Sequence, residues 1–341
     1  TVGALLDEQA VLCADSPALI FDDGEASSRW SYAELKRKVD ELARALIAWG
    51  VMPGDNVAVL SPNSPEWVLL EYALAKIGAV LVTVNPALRK AELDYLFRQS
   101  KVTTLFTVGE YRGHDISSTL TALMPDLAKV ADSLAGRKEG EKAFPHLRRI
   151  GVLGGDAVPG GAPFASVLSL AERVGLAQLI ERQSATKPHD VLQIQYTSGT
   201  TGAPKGAMLT HHSTINNARM MSARAGFDAS DRLLSAMPFF HTAGCVCNVM
   251  GMLVQGGCLI TMPAFDAGRM LDLLERYRAT VINAVPTMYI RMLEDEDFRA
   301  GNRDVSSLRI AFTGGTSIPP SMLRELKEKM GADPMVIMGM T

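Results

Sequence analysis

The chain has 341 residues, of which 47% are apolar and 21% charged, and its formal net charge is -3. That length predicts two domains, with enough apolar content for a core in each. The faintly acidic balance gives no drive toward nucleic acid or an anionic membrane, and the short basic runs Lys36-Arg37-Lys38 and Arg148-Arg149 read as solvated helix faces.

In chain order, the first residues carry Asp7, Glu8 and Asp15 and no basic leader, which argues against a signal peptide. Tyr32 to Gly50 places Leu35, Val39, Leu42, Leu46 and Ile47 at helical spacing, with Gly50 as a stop. Asn56 to Leu60 is a short buried strand, Pro65 opens a helix through Lys76, and Gly78 to Val84 returns as a strand. A helix over 91–100 and a strand over 103–108 continue the alternation, which predicts a mostly parallel sheet covered on both faces. From 109 to 190 the pattern weakens. Gly151, Gly154, Gly155, Gly160 and Gly161, with Pro159 and Pro163, are expected in surface loop.

After the apolar stretch Val191-Leu192-Gln193-Ile194 comes Tyr196-Thr197-Ser198-Gly199-Thr200-Thr201-Gly202-Ala203-Pro204-Lys205-Gly206. Glycines let a backbone turn its N–H groups toward an anion, hydroxyls add donors, and Lys205 brings a mobile positive charge. This composition suits a polyphosphate. It is not the common kinase loop, in which a glycine precedes the lysine and a Ser or Thr follows, because here Pro204 precedes Lys205 and Gly206 follows. Taken without its neighbours the cluster could also be a plain surface turn.

Beyond residue 222 the alternation resumes with strands over 233–237, 280–285 and 309–312 and helices over 268–277 and 321–330. Ala243 to Met262 holds no charge over a length that could span a bilayer, but Gly256-Gly257 divides it into a helix near 243–254 and a strand over 258–262. No transmembrane segment is expected, although peripheral membrane contact stays open. Cys13, Cys245, Cys247 and Cys258 lack the spacing of a zinc site or redox pair and are expected as free buried thiols in a reducing compartment, hence a cytoplasmic location. His211-His212 point different ways on a helix, so a joint metal site is not expected, and capping near Thr210 or Ser213 is the simpler role.

The loop ending at Lys205 resembles the signature loop of the adenylate-forming superfamily, which includes acyl-CoA synthetases, 4-coumarate ligases, peptide-synthetase adenylation domains and firefly luciferase. Pro238-Phe239-Phe240-His241-Thr242-Ala243-Gly244 resembles its second core motif, Thr313-Gly314-Gly315-Thr316-Ser317-Ile318-Pro319 its adenine-side loop, and Gly339-Met340-Thr341 the start of a Tyr-Gly-Met-Thr-Glu motif. Trp30 to Leu35, Gly54 to Val59 and Asn63-Ser64-Pro65-Glu66 are also arranged as in these ligases.

The resemblance implies an α/β fold of two interleaved, doubly wound, mostly parallel sheets covered by helices. It puts residues 51–222 in one subdomain, and 1–50 with 223–341 in the other. It also implies that the chain stops before a magnesium-binding glutamate, a ribose-binding aspartate, a β-barrel subdomain and a C-terminal lid with its adenylation lysine. This length alone is then expected to be inactive or severely impaired.

Carried over residue by residue, Thr197, Ser198, Gly199, Thr200, Thr201, Gly202 and Lys205 would grip the β- and γ-phosphates of ATP. Gly314, Gly315, Thr316 and Ser317 would border adenine and the acyl head, Gly339 and Met340 would line the nucleotide, and Thr341 would contact the α-phosphate. His241 would stand at the mouth of the acyl tunnel with Ala243 and Gly244. On its own, a histidine beside Phe239 and Phe240 reads as a satisfied core residue.

Met338 departs from the pattern, standing where the family has an aromatic residue stacked on adenine. No protein metal site is assigned, since magnesium (Mg2+) would arrive with ATP. The uncharged run after His241 favours a nonpolar acyl group. The expected function is ATP-dependent activation of a medium- or long-chain fatty acid to acyl-AMP, followed by thioester formation with coenzyme A. An aryl-CoA ligase, a fatty acyl-AMP ligase, or an inert nucleotide- or acyl-binding fragment are the alternatives, and a homodimer stays open. No nucleic-acid partner is expected.

Overall fold

The computed structural model describes residues 1–126, 133–135, 143–197, 203–339 and 341. They fall into two compact units, the first comprising Thr1–Asp7, Lys36–Pro62 and Glu66–Thr214, the second Glu8–Leu35, Asn63–Pro65 and Ile215–Thr341. The main divisions fall at residues 36 and 215, where 51 and 223 were expected, and the short segments Thr1–Asp7 and Asn63–Pro65 cross between the units in sequence. The long helix Tyr32–Ala48 explains the first difference. From Lys36 onward it engages the first unit, where Asp40 and Asp7 each lie 2.5 Å from the buried ammonium of Lys76.

The first unit holds a seven-stranded sheet in the spatial order Lys205–Thr210, Val191–Thr197, Val80–Val84, Asn56–Leu60, Thr104–Thr107, Arg149–Val152, Ala162–Pro163. Every neighbouring pair is parallel except the edge strand 205–210, which runs antiparallel to 191–197. Strands buried on both faces read as near-continuous apolar runs, and Val80–Val84, interrupted only by Thr83, is buried at every position. The helix Pro65–Ile77 begins with its proline, whose missing N–H costs nothing there, and is buried from Trp67 to Ile77.

The segment 109–190, expected to be mostly loop, contributes the helices Ile116–Leu123 and Leu176–Ala185 and two strands of this sheet. Gly151 is the clearest correction. It lies inside the strand Arg149–Val152, where an added Cβ would come 2.4 Å from Cε1 of Phe106. This glycine makes room for an aromatic ring and is no loop residue. Gly154 and Gly155 are exposed in the connection that follows.

The second unit has its own seven-stranded sheet, ordered Asp333–Ile337, Ile310–Gly314, Val281–Asn283, Arg232–Ser235, Cys258–Thr261, Pro17–Asp22, Ser27–Ser31. It is parallel except for the hairpin formed by the last two strands. That hairpin, the helix Val2–Leu12 and the edge strand Asp333–Ile337 carry patterns too short or too uniformly apolar for sequence periodicity to expose. Leu234, Ile260, Leu271, Leu274, Ile282 and Leu326 lie in its apolar core.

The uncharged run splits near the expected place. Ala243–Met250 forms a helix with wide, π-type turns, Gly251–Gln255 continues it as an α-helix, and Cys258–Thr261 is a strand. Among the described residues no helix is long and apolar enough to cross a membrane. All four cysteines are free. Cys245 and Cys258 are buried as expected, whereas Cys13 and Cys247 are partly exposed.

Candidate functional site

Two sets of residues come out of the fold, one on each unit. On the first unit, the strands Val191–Thr197 and Lys205–Thr210 form an antiparallel hairpin whose register pairs Thr197 with Lys205. The chain therefore leaves and re-enters the sheet at opposed positions, which closes the intervening loop at its base. The Thr197 hydroxyl donates to the Lys205 carbonyl at 3.5 Å, and the Tyr95 hydroxyl donates to the carbonyl of Pro204 at 3.1 Å. Lys205 itself is exposed, with its ammonium available to an anion. Ser198, Gly199, Thr200, Thr201 and Gly202 lie outside the described residues, as does Met340.

On the second unit, the site residues follow the carboxyl ends of parallel strands, where α/β sheets place their ligands. The strand Arg232–Ser235 runs out into Met237-Pro238-Phe239-Phe240-His241, and Ile310–Gly314 into Gly315-Thr316-Ser317. The turn after the first strand is closed by its own backbone: His241 N–H donates to Pro238 O at 3.1 Å, and Gly244 N–H to His241 O at 2.8 Å. Gly244 is required by this closure. An added Cβ would lie 2.1 Å from Pro238 O and 2.9 Å from Cα of Phe239, both backbone atoms that cannot step aside.

The His241 ring is not the core residue that its aromatic neighbours suggest. Phe239 is buried, but His241 reaches solvent. Its Nδ1 accepts the N–H of Ala243 at 3.1 Å, which requires that nitrogen to be unprotonated and leaves the proton of the neutral ring on Nε2. The protein packed around the ring takes it partly out of water and so holds its pKa below the ordinary histidine value. The imidazole is thus set as a neutral donor. One residue on, the Thr242 hydroxyl lies 3.4 Å from that of Thr341.

The glycines of the second loop answer to the fold. Gly314 pairs with Ile337 across parallel strands, and an added Cβ would meet Ile337 O at 2.4 Å. Gly315 has φ of +86°, a left-handed conformation that side chains disfavour. The fold by itself therefore accounts for both glycines. Gly315, Thr316, Ser317 and Gly339 are exposed, and Met338 is 95% exposed.

Two features carried no role in the sequence. Asn63, in the segment Asn63-Ser64-Pro65-Glu66, is buried against the turn before His241. Asn248, on the wide-turned helix, accepts a bond from Asn283 Nδ2 at 2.6 Å, while its own Nδ2 is buried with no partner among the described residues. For Asn248 the available signal was a carboxamide in an uncharged apolar run.

His211 and His212 diverge, as two adjacent helix residues must. His211 is buried with Nδ1 accepting Val2 N–H at 3.2 Å, and burial lowers its pKa to about 4. The ring of His212 stacks on His189 with centroids 4.9 Å apart. Thr210 and Ser213 cap the helix start through reciprocal backbone-to-hydroxyl bonds of 3.0 and 3.1 Å. Among the described residues no group of three or more His, Cys, Asp or Glu could hold a metal ion.

Residues 6–341 match the family model described as AMP-binding enzyme. A Bacillus subtilis protein named as a candidate acyl-CoA synthetase, YngI, is 35% identical over 99% of this chain and 60% of its own length. The mitochondrial medium-chain acyl-CoA ligase ACSF2 of Mus musculus is 31% identical over 99% of this chain and 54% of its own length. The inhibitor-bound N-terminal domain of FACL13 from Mycobacterium tuberculosis superposes with a TM-score of 0.79 at 26% identity, covering 100% of this chain and 76% of that one. The chain thus spans between half and two thirds of the length of these curated relatives.

Proposed function

The chain belongs to the AMP-binding enzyme family, and on that premise we propose that the protein uses ATP to activate a medium- or long-chain fatty acid as acyl-AMP and then passes the acyl group to coenzyme A. In the first step a carboxylate oxygen attacks the α-phosphorus and pyrophosphate leaves. In the second, the thiol sulfur attacks the acyl carbonyl and AMP leaves. Both steps depend on positioning and on neutralising charge at the phosphates.

The observation that carries this reading is His241, a neutral Nε2–H donor at the head of an uncharged helix. Such a group can hold a carboxylate oxygen without the full charge that would pin it as an ion pair. Thr341, joined to the same turn through Thr242, would donate to the α-phosphate. Lys205, with Thr197 and the hydroxyls and glycines of its loop, would serve the β- and γ-phosphates. Gly314 to Ser317 would border adenine and the acyl head, with Met338 packing its thioether on the base in place of an aromatic ring.

Magnesium would enter on the phosphates of ATP and neutralise charge on the leaving group. The apolar, uncharged residues after Gly244 favour an aliphatic acyl chain. Four free cysteines suit a reducing compartment, the cytoplasm in this reading.

The test is acid-dependent pyrophosphate exchange by the full-length protein across fatty acids of increasing length, beside benzoate. The expected result is a kcat/KM that climbs by up to about fourfold per methylene until the site is filled. Preference for benzoate would change the acid class and keep the chemistry. Exchange with no acid would overturn the reading.

A further inference from the structure

Asn63 uses every hydrogen-bonding group of its carboxamide on the turn that presents His241. Its Nδ2 donates to the carbonyls of Met237 at 3.0 Å and Met262 at 3.4 Å, and its Oδ1 accepts the N–H of Phe239 at 2.8 Å. Two donors and one acceptor at this side-chain length are a set that only asparagine supplies. The residue is 4% exposed, so these bonds form away from competing water.

The partners show what the clamp does. Met237 and Phe239 flank Pro238, which has no N–H of its own to give, so the turn can be tied down at its central residue only through the carbonyl. Asn63 grips it on both sides instead. Met262 follows the neighbouring strand Cys258–Thr261, so the same side chain ties the turn to the end of the sheet. From Pro238 the constraint passes onward through backbone bonds, from Pro238 O to His241 N–H and from His241 O to the N–H groups of Gly244 and Cys245. The Ala243 N–H that sets the His241 ring lies inside this closed turn.

We infer that Asn63 is a positioning residue for adenylation, fixing the Pro238–Gly244 turn so that His241 meets the acyl carboxylate in one geometry. Asn63 touches no reacting atom in this assignment and acts through the backbone of the turn. The inference rests on the proposed role of His241. Removing the carboxamide deletes three bonds at once and frees the turn to shift by a fraction of an ångström, enough to misalign an in-line attack.

The experiment uses full-length protein with Asn63→Ala and the near-isosteric Asn63→Asp, which keeps the acceptor for Phe239 and loses both donors. Asn63→Asp guards against a failure of the alanine variant to fold. Thr280→Ala is the control. It breaks a 2.6 Å bond to Asp231 at the opposite end of the strands and destabilises the same unit without touching the turn. Acid-dependent pyrophosphate exchange, thermal unfolding and the imidazole titration of His241 by NMR are measured on each.

In both Asn63 variants kcat should fall by about tenfold to a hundredfold with the KM for ATP within about threefold of wild type. The His241 titration should move toward the ordinary histidine value as the turn loosens. Thr280→Ala, at equal loss of thermal stability, should leave both readouts in place. Wild-type kcat in the Asn63 variants, an unmoved His241 titration, or equal losses in the control would each overturn the assignment. Should the wild-type protein exchange with no acid, the functional reading fails by that result, while the His241 titration still decides whether Asn63 sets the turn.

Discussion

The hydroxyls of Thr242 and Thr341 lie 3.4 Å apart, which joins the turn carrying His241 to the residue assigned to the α-phosphate. The two threonines have unequal work to do, because only one would donate to charge that develops during the reaction. Thr341→Val should lower the rate of pyrophosphate exchange by about a hundredfold to a thousandfold, the cost of one transition-state donor. Thr242→Val loses only a long hydroxyl contact and should cost less than about tenfold. Comparable losses in the two variants would remove Thr341 from the reacting phosphate.

The amino-acid sequence revealed the alternation of strands and helices wherever a buried strand and a one-sided helix imprint distinct periods, as in Asn56–Leu60 and Ala267–Tyr277. It marked out the segment between Thr197 and Lys205, whose ends pair across two strands, because hydroxyls, glycines and a lysine are a composition with a chemical meaning. It could not say why particular glycines are there. Gly151 and Gly314 are needed by contacts with Phe106 and Ile337, 45 and 23 positions away, and no local pattern records such a contact. Asn63 was visible as part of a motif, but its partners Met237, Phe239 and Met262 are brought to it only by the fold.

Acid should weaken the first unit through His211. Its folded pKa of about 4 lies below the unfolded value of 6.5, so between these limits the unfolded chain binds a proton that the folded chain refuses. The associated stability is complete above 6.5 and is lost as the pH falls toward 4, to a total of roughly 3 kcal/mol. Urea titrations from pH 7.5 down to about 4.5 should show this slope, and His211→Gln should flatten it. An unchanged slope would mean that other groups carry the acid response.

Glu71 works in the opposite direction. On the helix Pro65–Ile77 both its carboxylate oxygens are buried with no hydrogen-bond partner among the described residues, and burial raises its pKa well above the ordinary carboxylate value. The folded chain therefore holds a proton that the unfolded chain gives up, and stability falls as the pH rises from about 4.3 toward the folded pKa. Glu71→Gln keeps the shape and removes the ionisation. It should raise stability at pH 8 by about 1–3 kcal/mol while changing little near pH 4, as read by denaturant unfolding at both values. Equal effects at the two pH values would show that the carboxyl is not the source of the slope.

Gly244→Ala tests whether the turn after Pro238 is as rigid as its packing requires. A methyl group there would sit 2.1 Å from the carbonyl oxygen of Pro238 and 2.9 Å from Cα of Phe239. Both atoms are held by the bonds that close the turn, so the strain cannot be relieved by rotating a side chain. The substitution should cost about 1–3 kcal/mol in unfolding free energy and reduce pyrophosphate exchange by at least about tenfold. Gly155→Ala offers the contrast, since nothing lies within 4 Å of its added Cβ and the change should stay within about 0.5 kcal/mol. If Gly244→Ala proved as mild as Gly155→Ala, the turn would have to yield at the backbone, and the geometry assigned to His241 would not be held by the closure around Pro238.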